Sequence, residues 1–271
     1  MVIVIKQLII LKIGGSVFAC KESKVPRVDL DVLRRIAREI AVAYKRGVKL
    51  ILVHGAGSYG HPIVKRTKID KGIKNKKQLV AFAETQRLQN DLNSIVTKEL
   101  IDLGVPAIPC QASASAIMSD GKIKKMFIEV EKGLVELGLV PTLYGVPAYD
   151  EKRGCSILSG DDIVPFLAKY LNAKKIIHGT DVDGVFTSDP KINPDAKLIE
   201  KITPKNFKSI EKGIRGSMKI DVTGGMRRKI EELLKLSEIG IESLIVNARK
   251  KDRIKKALLG EKVIGTTICK S

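Results

Sequence analysis

The apolar run Leu50 to Val53 (LILV) breaks directly into HGAGSYGH, His54 to His61, and this junction constrains the fold more than any other stretch of the chain. A short branched-apolar run without polar alternation suits a strand buried on both faces. Glycine after such a strand can adopt φ > 0 and presents no side chain, so several backbone N–H groups can gather round a phosphate. The device recurs at KIGGS (Lys12 to Ser16), SGDD (Ser159 to Asp162) and TGGMRRK (Thr223 to Lys229). Together these loops point to phosphoryl transfer.

Between them, apolar runs alternate with helix-period segments, the pattern of an α/β sheet with helices on both faces. The spacing predicts a first strand over Val2 to Ile13, then a helix over Asp29 to Arg46 with Leu30, Leu33, Ile36 and Ile40 on one face and Asp29 as N-cap. A long helix is predicted from about Lys77 to Leu103, strands at Val105 to Pro109 and Gly138 to Gly145, and a helix near Phe127 to Leu137 between them. Val146 to Ile157 reads as a hairpin turning at Asp150 to Gly154. Beyond SGDD come a helix over Ile163 to Leu171, a strand over Lys174 to Thr180 and a turn-rich loop (DVDGVFTSDPKINPDAKLI). A helix from Gly225 to Ser237, a strand from Glu242 to Asn247, a short helix around Asp252 to Leu258 and a strand at Gly265 to Cys269 complete the chain.

At 271 residues and 44% hydrophobic content the chain can bury a full core, and it reads as one compact unit. No apolar run approaches the roughly 18 residues needed to span a bilayer, and Lys6 and Lys12 interrupt the apolar start, which reads as a strand and not as a signal peptide. Cys20, Cys110, Cys155 and Cys269 are too scattered for structural zinc and suit a reducing cytoplasm. The net charge of +19 would suit a nucleic-acid partner if it were clustered. It is spread along the chain, aromatics are only 4% and no base-reading motif accompanies it, so the lysines are read as solvent-facing and as attracting anionic substrates.

KIGGS, HGAGSYGH, SGDD, TDVDGVF and DVTGGMRRKI occur here in the order found in the amino acid kinase family, which this chain resembles from about Leu11 to the terminal GTTI. The resemblance implies a three-layer α/β/α sandwich with an open, mainly parallel sheet, the acceptor held by residues 1–171 and ATP by residues 172–271. Within the family, His61 and the local form GAGSYGHP resemble the branch that phosphorylates isopentenyl phosphate with ATP and Mg²⁺. It further implies a homodimer, with no nucleic-acid or membrane partner.

By the same resemblance Lys12 contacts the transferring phosphoryl group, Gly14, Gly15 and Ser16 bring backbone N–H groups towards it, and Lys229 reaches the terminal phosphates of ATP. Lys21, with Lys24 as its rival across a variable stretch, matches a second phosphate-contacting lysine. Asp161 holds the catalytic lysines in position, although its place also suits a helix N-cap. Thr180, Asp181, Asp183, Gly184, Gly224 and Gly225 match the ATP side. Gly55, Ala56, Gly57, Gly60, His61 and Gly160 match the acceptor side, where His61 donates to a non-transferring oxygen of a monophosphate. Arg227 and Arg228 read as solvent-facing, and His54 and His178 as packed side chains. The acceptor's apolar tail is expected against the long helix around Phe82 to Ile95 and against Ile157.

No dedicated carboxylate cage for a metal is visible; Mg²⁺ commonly binds substrate phosphates and keeps its waters. The Walker A and protein-kinase motif sets are absent. One departure stands out: relatives commonly read YGD, whereas this chain reads YGVPAYD from Tyr144, with Val146 in place of the acid and Asp150 as a possible substitute for it. Two other readings stay open here, a family kinase acting on a carboxylate or phosphonate (glutamate, N-acetylglutamate, a fosfomycin-like compound) and a nucleotide-binding protein without turnover.

Overall fold

A computed structural model describes residues 8–20, 23, 25–188, 190, 193–216 and 224–271, with backbone only at 211–216 and 224–226. In chain order the elements are β1 (Ile9–Ile13), α1 (Gly15–Phe18), α2 (Leu30–Lys45), β2 (Leu50–His54), α3 (His61–Thr67), α4 (Lys76–Ile101), β3 (Ala107–Pro109), α5 (Ala112–Ser115), β4 (Ala116–Ser119), β5 (Lys122–Met126) and α6 (Glu129–Glu136). There follow β6 (Val140–Tyr144), β7 (Val146–Asp150), β8 (Gly154–Leu158), α7 (Gly160–Tyr170), β9 (Lys175–Thr180), β10 (Val185–Phe186), β11 (Leu198–Ile199), β12 (Lys201–Ile202), α8 (Pro204–Gly216), α9 (Gly224–Glu238), β13 (Glu242–Asn247), α10 (Arg253–Leu259) and β14 (Thr266–Ile268).

The main sheet runs β12-β14-β13-β9-β1-β2-β6-β3, and β13–β14 is its antiparallel pair. Period-two alternation sorts the strand residues between two cores. Ile9, Leu11, Ile13, Leu50, Leu52, Ile177 and Leu244 face α2, α4 and α10. Ile10, Ile51, Val53, Ile176 and Ile245 face α7 and α9. Helices therefore cover both faces, giving the three-layer α/β/α sandwich with a mainly parallel centre.

Local signals set several helix starts. Asp29 accepts a hydrogen bond from the Val32 N–H at 3.2 Å and begins α2; Asn75 does the same for α4 through Gln78 N at 3.1 Å. The cap of α7 is Ser159, whose hydroxyl accepts from Asp162 N at 3.2 Å, so Asp161 lies one position inside the helix and is not its cap. That helix also starts three residues earlier than its apolar pattern, at Gly160 rather than Ile163, because the cap and not the first apolar residue nucleates it.

A smaller sheet, β5-β4-β7-β8, stands beside the first. Its β7–β8 hairpin turns as predicted, with Asp150 opposite Gly154. The β4–β5 hairpin and α8 have no counterpart in the sequence reading. The former turns at Asp120 and Gly121, both at positive φ, which is the two-residue turn that Asp-Gly pairs favour. Of the predicted first strand, Ile9–Ile13 is observed, and residues 1–7 lie outside the described residues.

Strand β1 lies between β2 and β9, so the chain leaves it in one direction along the sheet and returns on its other side. In open α/β sheets the carboxyl edge at such a switch point forms a crevice. Here that edge carries Lys12 to Gly15, His54 to Ala56 and Gly179 to Thr180.

Candidate active site

The crevice is organised by backbone contact between two glycine loops. A Cβ on Gly15 would collide with the backbone N of Gly57 and lie 3.0 Å from the carbonyl carbon of Gly55, and a Cβ on Gly55 would strike Gly15 N in return. Glycine is therefore required at both positions for close approach. The loops are further joined by Gly55 N donating to Ile13 O at 3.0 Å and Ser58 N to Ala19 O at 2.8 Å. Gly14 donates its N–H to Gly179 O at 2.8 Å, so it ties β1 to β9 and has no N–H to offer a phosphate.

Above this junction Lys12 Nζ lies 2.8 Å from Asp161 Oδ1, and Lys229 Nζ approaches the same oxygen at 3.1 Å. Three elements meet here: β1 brings Lys12, the first turn of α7 brings Asp161, and the second turn of α9 brings Lys229. Gly160 lets them meet, since its Cβ position is already 3.3 Å from Lys12 Cε and Val53 Cγ1. Arg228, although exposed, pairs with Asp162 at 2.9 Å and fastens α9 to α7, while Arg227 pairs with Glu231 at 2.8 Å along its own helix.

The charges act on one another. Burial pulls the Lys12 ammonium below the ordinary lysine range and Lys229 adds to this, with Asp161 working the other way. For Asp161, burial opposes ionisation, but the charges of Lys12 and Lys229 outweigh it and hold the carboxyl well below its usual range. His178, opposite Lys12 in the β1–β9 register, is buried; burial and then the two lysines keep its imidazole neutral. His54 is also buried and neutral, its pKa lowered by burial to about 4. It packs on Tyr144 with ring centroids 5.5 Å apart and places Nε2 3.1 Å from Asn93 Oδ1.

From Lys12 and Asp161 a cavity of about 340 Å³ leads inward. Gly15, Gly55, Ala56, Gly60, His61 and Gly160 line it along with these two residues. His61, exposed at the first position of α3, forms part of its rim. Val64, Thr85, Gln89, Val146, Pro147 and Ile157 also line it. Of these, Thr85, Gln89 and Ile157 fall within the predicted wall and Val146 is the departure noted from the sequence, whereas Val64 and Pro147 were not read there because nothing local brings α3, α4 and the β7–β8 hairpin together.

The remaining predicted residues lie elsewhere. Gly57, at φ +50, packs against Ala19 and is not among the cavity-lining residues. Ser16 sits in α1 outside that lining. The Thr180 hydroxyl donates to Val182 O at 2.8 Å and shapes the bend leading to Asp181 and Asp183. Gly184 packs on Thr266, whose Oγ1 accepts from Val185 N at 2.8 Å. Gly224 and Gly225 open α9, four residues or more before Lys229. Lys21, Lys24 and Thr223 lie outside the described residues. Asp150 does not substitute for the acid absent at position 146: it accepts N–H bonds from Asp120, Gly121, Lys152 and Arg153 at 2.8–3.1 Å, joining two hairpins away from the cavity.

The amino acid kinase family model matches residues 7–247. The isopentenyl phosphate kinase of Methanothermobacter thermautotrophicus is 42% identical over 268 residues, covering 96% of this chain and 98% of that one. The enzyme of the same name from Methanocaldococcus jannaschii is 40% identical, again covering 96% and 98%. A solved isopentenyl phosphate kinase structure superposes with a TM-score of 0.83 at 40% identity, over 97% of this chain and all of the other. The product complex of the Thermoplasma acidophilum enzyme gives 0.77 at 26% identity, over 97% of this chain. A crevice at the switch point, two lysines on one carboxylate and a match along nearly the whole length agree with one another: the chain belongs to the amino acid kinase family.

Proposed function

We propose that this protein transfers the γ-phosphoryl group of ATP to isopentenyl phosphate, giving isopentenyl diphosphate and ADP for isoprenoid synthesis by an alternative mevalonate route. The carrying observation is the make-up of the cavity lining. It offers Lys12, His61 and glycine backbone to a phosphate, and Val64, Val146, Pro147 and Ile157, alongside the polar Thr85 and Gln89, to a short apolar tail. Glutamate or N-acetylglutamate would bring a second carboxylate among those apolar residues, and among the described residues the ionisable groups lining the cavity are Lys12, His61 and Asp161.

Phosphoryl transfer is chiefly in-line positioning and stabilisation of charge. Lys12 stands where the transferring group passes between acceptor and nucleotide, and Lys229 reaches it from the ATP side. Asp161 holds both ammonium groups in position before substrate arrives, so little reorganisation is left to the reaction itself. It need not act as a base, because the acceptor phosphate is already ionised near neutral pH. His61 donates to a non-transferring acceptor oxygen, with the acceptor held by residues up to about 171 and ATP by residues 172–271. Within the second group we assign Thr180, Asp181, Asp183, Gly184, Gly224, Gly225 and Lys229 to the nucleotide.

Mg²⁺ belongs to this reading as the companion of ATP, supplying charge neutralisation at the phosphates. Asp183 fits it: its Oδ1 is buried and has no hydrogen-bond partner among the described residues, a hard oxygen donor suited to the ion or its waters. The reading also includes a homodimer and a cytoplasmic location, the first testable by light scattering.

Incubating purified protein with Mg-ATP and, separately, isopentenyl phosphate, glutamate, N-acetylglutamate and fosfomycin tests the proposal. Selective formation of isopentenyl diphosphate is expected. Turnover of another acceptor in its place would overturn the substrate and leave the lysine assignments standing.

A further inference from the structure

Helix α4 carries a row of buried and half-buried polar side chains, and one of them is anomalous. Gln78 accepts from Lys74 N at 2.6 Å and donates to Thr67 O at 2.8 Å. Gln86 donates to Ser113 Oγ at 3.1 Å and to Pro147 O at 2.9 Å. Thr85 donates to Ala81 O at 2.7 Å, and Asn93 bonds both His54 and Thr142 O. Gln89 is 0% exposed, and neither its Nε2 nor its Oε1 has a hydrogen-bond partner among the described residues. A buried amide left unpaired is costly, and natural structures keep few of them.

Its location suggests what completes it. Gln89 is part of the wall of the acceptor cavity, which it shares with the apolar residues Val64, Val146, Pro147 and Ile157. Gly60 makes room for it: a Cβ there would come within 2.5 Å of Gln89 Nε2. The chain thus places a glycine beside His61 that accommodates an amide with nothing to bind. One small group satisfies an amide N–H and an amide C=O together, namely a hydroxyl, which accepts from Nε2 and donates to Oε1. The isopentenyl tail has none.

We propose that Gln89 is a hydroxyl-recognising position, and that the enzyme phosphorylates, besides isopentenyl phosphate, short branched alkyl monophosphates bearing a hydroxyl on the chain. This rests on the alkyl monophosphate reading of the cavity and extends its substrate class. The bond changes are those of the parent reaction. A terminal oxygen of the acceptor phosphate bonds to the γ-phosphorus as the bond to the β-bridging oxygen breaks, giving ADP and a hydroxyalkyl diphosphate, with the chain hydroxyl unchanged.

The test compares isopentenyl phosphate with its hydrated analogue, the tertiary alcohol formed by adding water across the terminal double bond, in the wild type and in Gln89→Met. The wild type is expected to convert both. In Gln89→Met the ratio of kcat/KM for the hydroxylated acceptor to that for the alkene should fall by about tenfold or more, the order expected for losing a paired buried hydroxyl. An unchanged ratio would overturn the assignment and leave the amide to an internal water. Wild-type turnover of the alkene alone would refute the wider substrate class while the proposed function stands; turnover of neither would refute that function itself. Should Gln89→Met not fold, the wild-type comparison and Gln89→Glu, which retains the acceptor oxygens but removes the N–H donors, still decide the matter: an undiminished ratio in Gln89→Glu would refute recognition by the amide.

Discussion

The two parts of the cavity lining beside Lys12 are built from different materials. At its mouth, the positions of Lys12, Gly15, Gly55 and Gly160 follow from main chain at the edge of a parallel sheet, where neighbouring strands fix the spacing. At its depth, Val64, Gln89, Val146 and Ile157 come from α3, α4 and two hairpin strands, and only side-chain packing relates them. The mouth resists change because its atoms are backbone; the depth can be remodelled one side chain at a time. A family that keeps one transfer reaction while varying its acceptors needs this division.

The sharpest way to break the contrast is at the mouth. Lys12→Ala should lower kcat by about a hundredfold to a thousandfold, the scale of losing one charge-stabilising donor in a preorganised site, with a smaller change in KM. Steady-state kinetics check this, and a raised KM alone would remove Lys12 from the transition state.

Asp161→Asn comes next, with a loss of about tenfold to a hundredfold expected in kcat as both lysines lose their anchor. Its pH profile sharpens the assignment. Lys12 must be protonated to act, so the rate falls on the alkaline side as it deprotonates, at a pH below that of an ordinary lysine. Asp161 raises the Lys12 pKa and Lys229 lowers it. Asp161→Asn should therefore move the alkaline limb to lower pH and Lys229→Met should move it to higher pH. Shifts in the same direction would show that the limb belongs to another group.

Gly15→Ala tests the loop contact, where an added Cβ meets the backbone of Gly57. A destabilisation of about 1–3 kcal/mol is expected in chemical denaturation, as for other overpacked sites. Full stability would mean that the two loops separate readily. The smallest effect is at the boundary between the ends: His61→Ala should raise the acceptor KM by about tenfold, one charge-assisted hydrogen bond, and leave ATP affinity nearly as it was. Equal losses for both substrates would make His61 a folding residue.

Much of the mouth was legible in the chain because short-range rules govern it. The strand LILV, the glycines after it and the Asp29 cap express local physics, and KIGGS and SGDD lie within a few residues of the groups they position. Of the two roles the sequence offered Asp161, a local rule removes one, since Ser159 caps α7; the Gly14 N–H is instead taken by a long-range partner, Gly179 O on the neighbouring strand. Asp150 could not be placed from sequence, since its four N–H partners lie in two hairpins about thirty residues apart.

The sequence by itself determined the alternation of strands and helices, the glycine loops at the strand ends and the order of motifs, because hydrophobic period, capping and φ freedom act over a few residues. Only the tertiary structure decided that Lys12 and Lys229, more than two hundred residues apart, share one oxygen of Asp161, and that Val146, Ile157 and the unpaired amide of Gln89 meet in one cavity. Those contacts depend on how the sheet orders its strands and on which helix faces pack across it, and no local rule encodes either.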